Sequence, residues 1–190
     1  MQSIQTNITI CTICERRCPI PSGRTGACGM YRNTEGAVEE IYPDHYLVVS
    51  PISVETMPVL HFYPRTKFLQ ISSIGCNFDC PGCISTAIVK EIDPSCRALK
   101  SFSPDTIVQE AQRQDCKGIA FLMNDPLASF HSFFSVARKA KEHDLMVGCS
   151  SNTYFTEEAL AALLPVLDFI HVGFKGCSDS AYKECGARDV

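Results

Sequence analysis

Lys67-Phe-Leu-Gln-Ile-Ser-Ser-Ile-Gly-Cys-Asn-Phe-Asp-Cys-Pro-Gly-Cys83 joins two signals, an apolar run over 67–74 and a C-x3-C-x2-C triplet directly behind it. The run reads as a strand. Gly75 permits a tight turn out of that strand, and Pro81 and Gly82 shape the loop between the cysteines. Three thiolates from one loop serve three irons of a four-iron cubane and leave the fourth iron without a protein ligand. Zinc is the rival for short cysteine spacings, but it needs a fourth ligand, and neither Cys96 nor His61 stands at a matching spacing. An electron-transfer cluster held wholly by cysteine would also need a fourth thiolate close by.

Downstream, strands and helices alternate. Ser103-Pro104-Asp105 supplies an N-cap, an N1 proline and a first-turn acid for a helix carrying Ile107, Val108 and Ala111, expected to stop at Gly118. Strands are expected over 119–123, 145–149 and 169–174. Helices are expected over 127–143, with Phe130, Phe133, Phe134 and Ala137 on one core-facing side, from Thr156 to Pro165, and from Ser178 onward. Repeated βα units predict an α/β fold with a parallel sheet, right-handed crossovers and a site at the carboxyl ends of the strands. Four strands are too few to close a barrel, and further βα units are expected past Val190.

Upstream of residue 65 the chain is irregular and punctuated by Pro and Gly, with hairpin signals at 37–42 and 46–49. The sequence therefore divides into a cysteine-rich segment, 1–65, and a core, 66–190. Cys11, Cys14, Cys18 and Cys28 offer four thiolates from a segment with little core of its own, a ligand set for structural zinc or for a second iron–sulfur cluster. Arg16, Arg17 and Arg24 could pair with a negatively charged thiolate site, but solvated surface charge is the favoured reading, and Cys96, Cys116, Cys149, Cys177 and Cys185 read as small buried apolar side chains.

Twelve cysteines without a secretory leader point to a reducing cytoplasm and to metal or redox chemistry rather than disulfides. The net charge of −4 argues against a nucleic-acid partner, and no run of about 18 apolar residues marks a membrane span.

Gly75-Cys76-Asn77-x-x-Cys80-x-x-Cys83 resembles the signature of radical S-adenosylmethionine enzymes. The wider sequence is similar to the pyruvate formate-lyase activating enzyme branch of that superfamily, and within it to the AmmeMemoRadiSam subgroup. The supporting segments are Pro58-Val-Leu-His61-Phe62-Tyr63-Pro64, Asn124-Asp125-Pro126, Ser151-Asn152, Lys175-Gly176 and the N-terminal cysteines through Gly26-Ala27-Cys28. The resemblance implies a partial (β/α) barrel with about four βα units. It also implies a [4Fe–4S] cluster on Cys76, Cys80 and Cys83, and S-adenosylmethionine near Asn124, Asp125, Asn152 and Lys175. A reductant such as flavodoxin or ferredoxin would supply the electron. A 5′-deoxyadenosyl radical would then abstract hydrogen from a protein or small-molecule substrate.

The chain departs from the pattern in places. Gly82 stands where many relatives carry an aromatic residue, and Ile84-Ser85 where the subgroup has Gln-Asn. Asp125 replaces a glutamate, and Gly173-Phe174-Lys175 replaces Asp-Leu-Lys. The family's usual substrate therefore does not carry over. Outside that set, Asp79 is placed to cap the loop or to bias a cluster by its charge, while His131, His143 and His171 lack metal spacing.

Overall fold

The computed structural model describes residues 7–57, 59 and 61–188. Pro58 and Leu60 of the segment ahead of the first core strand, and the first six residues, lie outside them.

The N-terminal part is built from short pairings. Strand β1 (Ile8–Ile10) runs antiparallel to β2 (Pro19–Pro21), and β3 (Tyr31–Thr34) to β4 (Ala37–Glu40). The signal at 37–42 thus pairs backward with 31–34, not forward with 46–49. The forward segment divides into β5 (His45–Tyr46) and β6 (Val48–Ser53).

Strand β6 joins the main sheet, antiparallel to β7 (Lys67–Ser72), with Val48 opposite Ser72 and Ser53 opposite Lys67. Pro51 lacks an amide hydrogen and is tolerated there because β6 is an edge strand. After β8 (Lys100–Ser101), which pairs with β5, come α1 (Pro104–Arg113), β9 (Gly118–Phe121), α2 (Phe130–Glu142) and β10 (Met146–Ser151). Helix α3 (Glu157–Leu163), β11 (Phe169–Val172) and α4 (Asp179–Glu184) complete the order.

The main sheet runs β11-β10-β9-β7-β6, and β7, β9, β10 and β11 are mutually parallel neighbours in chain order. The fold is mixed α/β on a parallel sheet with one antiparallel edge. This strand order places 73–83, 122–125, 152–154 and 173–175 at the same end of the sheet, where parallel α/β folds gather ligands.

The central strands are apolar on both faces because both are covered. Leu69, Ile71, Ile119, Phe121 and Val147 face the helices and meet Ile107, Val108, Phe133 and Val136. On the other face Phe68 and Ala120 are covered by Val54, Met57 and Phe62 from the stretch between β6 and β7.

Helix α1 opens as its sequence dictates, with the Ser103 hydroxyl accepting the Thr106 amide hydrogen bond at 3.2 Å. It ends at Arg113, and Asp115, not Gly118, takes the left-handed conformation (φ 53°). Gly118 is instead a strand residue whose missing side chain lets β10 approach. A β-carbon there would run into the Met146 carbonyl oxygen and stand 2.7 Å from Phe68 Cε1. Gly118→Ala is expected to cost about 3 kcal/mol and about 10 °C in melting temperature, readable by calorimetry.

Candidate metal centre

The triplet loop is set by its exit from β7. Gly75 adopts φ 76° with Met30 packed where its side chain would be, so the N-terminal part seals the turn. Buried Asn124 then holds the turn from the end of β9. Its Oδ1 accepts from the Ser72 hydroxyl and the Ser73 amide, both at 3.0 Å, and its Nδ2 donates to the carbonyls of Ile74 (3.1 Å) and Gly75 (3.2 Å). The side-chain amide is thereby saturated. Asn124 acts on the loop itself.

Cys76, Cys80 and Cys83 emerge half-buried. Burial, then the nearby Asp125 charge, pushes the Cys76 thiol up to about 12. Burial, then a hydrogen bond shared with Cys185, pushes Cys80 up to about 11, against the attraction of Lys175. Thiols raised in this way ionise readily only when a metal or another cation supplies positive charge. The Phe78 amide already donates to Cys76 Sγ at 3.4 Å, the kind of contact that tunes a cluster through its sulfur ligands.

Around the loop stand the other strand ends. Asp125 is buried, and its carboxyl is pushed up to about 6 by desolvation. Amides of Asn152 (2.6 Å) and Leu127 (3.0 Å) and the Ser151 hydroxyl (3.1 Å) donate to it and hold it ionised at neutral pH. Asn152 donates onward to Asn77 Oδ1 at 2.7 Å and lies 4.0 Å from Cys76 Sγ. Exposed Lys175 acts on both Cys80 and Asp125 through its charge. The structure therefore gathers Asp125, Asn152 and Lys175 beside the triplet.

Other candidates fall elsewhere. His61 is exposed in the turn before β7. The exposed Asp79 side chain pairs with Lys90 and takes no capping hydrogen bond among the described residues. Cys177 is exposed, contrary to its reading as a buried apolar residue, whereas Cys116, Cys149 and Cys185 are buried.

The N-terminal cysteines converge as well. Cys11, Cys14, Cys18 and Cys28 line one cavity together with Arg16 and Asn77. Burial raises the Cys14 thiol to about 12 and the Cys28 thiol to about 11, with smaller contributions from neighbouring thiols of the same group. This segment docks on the loop after β10: Thr156 caps α3 and donates its hydroxyl to the Thr12 carbonyl at 2.6 Å, and the Glu15 amide donates to the Tyr154 carbonyl.

Arg16 is half-buried, not solvated, and its Nη1 donates to the Asn77 carbonyl at 2.9 Å. Arg17 and Arg24 are exposed as expected. Among the described residues, no three His, Cys, Asp or Glu side chains are drawn in to metal-holding positions. The fit rests on donor chemistry and enclosure, which suit thiophilic metals at both groups.

Sequence reasoning gave Asn77, Ser151 and Cys185 no separate role and favoured solvent for Arg16. Asn77 and Ser151 sat inside quoted motifs, but nothing in the spacing of Arg16 or Cys185 marks their places.

The Radical SAM superfamily profile matches residues 71–190, which include the triplet and the parallel strand ends. Over 186 residues the chain is 28% identical to Uncharacterized protein MJ0808 of Methanocaldococcus jannaschii, a match covering 98% of this chain and 55% of that protein. The chain thus spans about half the length of that relative. No helix among the described residues is long and apolar enough to cross a membrane. Superfamily members are generally enzymes, and membership implies a [4Fe–4S] cluster and S-adenosylmethionine. With more than half of its length matched, and the cysteine loop within the match, this chain belongs to the radical SAM superfamily.

Proposed function

We propose that Cys76, Cys80 and Cys83 hold a [4Fe–4S] cluster with one iron open, and that S-adenosylmethionine binds there for hydrogen abstraction, as in the activating enzymes of glycyl-radical proteins. One observation carries the reading: a single loop at the carboxyl end of the first parallel strand presents three half-buried thiols among Asp125, Asn152 and Lys175. Bound together, cluster and cofactor supply one-electron cleavage of the sulfonium C–S bond, and with it a radical that removes a hydrogen atom from substrate.

The protein's part is placement. Asn124 fixes the loop's first turn, Asp125 and Asn152 tie the β10 end to Cys76, and Lys175 offers a cation to the cofactor carboxylate. In this reading residues 66–190 form a partial (β/α) barrel and residues 1–65 a metal-binding segment for zinc or a second cluster. The reductant is a flavodoxin- or ferredoxin-like protein, and the setting is cytoplasmic. The substrate class is a protein or small molecule with an abstractable hydrogen.

Anaerobic reconstitution with iron and sulfide, then dithionite and S-adenosylmethionine, tests it. The expected products are 5′-deoxyadenosine and methionine in equal amounts; none above a Cys76→Ala control refutes the activity.

Cys185 favours a second reading. Its thiol shares a hydrogen bond with Cys80, and its carbonyl accepts the Asp79 amide at 2.8 Å. A fourth thiolate at the cluster would make the centre an electron carrier without open iron. Under the first reading Cys185→Ala keeps S-adenosylmethionine cleavage. Under the second it loosens the cluster, and the parent chain cleaves nothing.

A further inference from the structure

We infer that Arg16 is a shared counterion and strut, balancing a metal–tetrathiolate centre on Cys11, Cys14, Cys18 and Cys28 while holding the cluster loop by the Asn77 carbonyl, so that filling the N-terminal site sets the geometry of the central one. The second half rests on the central loop holding a cluster; the first half stands without it.

The geometry is specific. Cys11, Cys14, Cys18, Cys28, Arg16 and Asn77 border the same cavity, which places Arg16 beside the four cysteines. Its Nη1 donates to the Asn77 carbonyl at 2.9 Å, one residue after Cys76. Gly186 lies on the same guanidinium, since a β-carbon there would stand 2.9 Å from Nη1. Arg16 Nε is buried without a hydrogen-bond partner among the described residues.

Neighbouring Arg17 takes Glu15 and Glu158, whereas among the described residues no carboxylate reaches Arg16 at ion-pair distance. Asp79 feels the Arg16 charge but is paired with Lys90. A partly buried guanidinium with one carbonyl partner is stabilised by a nearby anion. Four thiolates around a zinc dication, or around a [4Fe–4S]2+ cube, leave a net charge of about −2 in the cavity that Arg16 faces. Both centres share that chemistry. With the anion in place, the guanidinium is held from one side and the Asn77 carbonyl from the other.

The test uses the full chain. In a Cys76→Ala/Cys80→Ala/Cys83→Ala background, metal and sulfide analysis reads the N-terminal site alone. One zinc per chain, or about four irons with four sulfides, is expected to remain; no bound metal overturns the centre. In that background Arg16→Met is expected to release its metal to a chelator about tenfold faster, and Arg16→Lys, which keeps the charge, within about twofold of the parent. Equal release from Met, Lys and parent proteins overturns the counterion. If Arg16→Met does not fold, Arg16→Lys carries the test, and release from it as fast as from Cys14→Ser has the same force.

With the central cysteines intact, Arg16→Met and Cys14→Ser are both expected to shift the midpoint potential of the central cluster and change its electron paramagnetic resonance line shape. An unchanged potential and line shape in both overturns the strut. Failure of the cluster reading shows separately, as equal iron in the parent chain and the triple-alanine protein.

Discussion

Alanine at Cys76, Cys80 or Cys83 is expected to strip the central loop of iron and to abolish 5′-deoxyadenosine formation. Losing an outer partner of a metal site costs about 10–100-fold, so losing a direct ligand is expected to exceed that range. The fold should survive. The three thiols are half-buried, while the loop stays anchored by Phe78 in its own apolar cluster and by Asn124. Far-ultraviolet circular dichroism like that of the parent, with iron lost, is the expected pair of results. Retained 5′-deoxyadenosine formation in any of the three variants would contradict the assignment. Each thiol has a distinct setting, Cys76 beside Asn152 and Cys80 beside Cys185, so the three variants are separate tests.

Asn124→Ala is expected to have the second large effect. Four hydrogen bonds leave at once, and the Ser73 amide and the Ile74 and Gly75 carbonyls lose a partner in a buried turn. Unsatisfied buried groups cost about 1–3 kcal/mol each before relaxation, and the members of such a network are coupled, so a net loss of about 3 kcal/mol is expected in urea unfolding. Iron bound after reconstitution should fall in parallel, because the turn that aims Cys76 is the turn Asn124 holds. Asn124→Asp keeps the acceptor side for Ser72 and Ser73 but loses both donors, and should fall between. A variant that loses stability while binding iron normally would show that Asn124 braces the sheet without placing the loop.

The parallel strands were legible because β7, β9 and β10 are buried on both faces and therefore read as short continuous apolar runs. The triplet was legible for a different reason: three ligands within eight residues, 76–83, need no tertiary information. What escaped was set by long-range contact. Strand β6 reads as an ordinary hairpin half, and only its partner β7 shows that it extends the core sheet. Gly118 reads as a helix stop, but its physical constraint is the Met146 carbonyl, which is distant in sequence. Asn124 carries the turn-residue signature, which conceals a side chain spent wholly on another loop. Arg16 looks like one of three basic residues in a polar segment, and its burial appears only when that segment docks beside Asn77. Cys185 lies about a hundred residues from Cys80, and no local spacing rule joins them.

The most direct measurement of the central claim is the electron paramagnetic resonance spectrum of anaerobically reconstituted, dithionite-reduced protein with and without S-adenosylmethionine. A cluster on Cys76, Cys80 and Cys83 with one iron open changes its ligand set when the cofactor binds, so the reduced-cluster signal is expected to shift on addition. A cluster signal identical with and without S-adenosylmethionine, at cofactor concentrations that saturate binding, would contradict the open iron and leave a four-thiolate centre in its place.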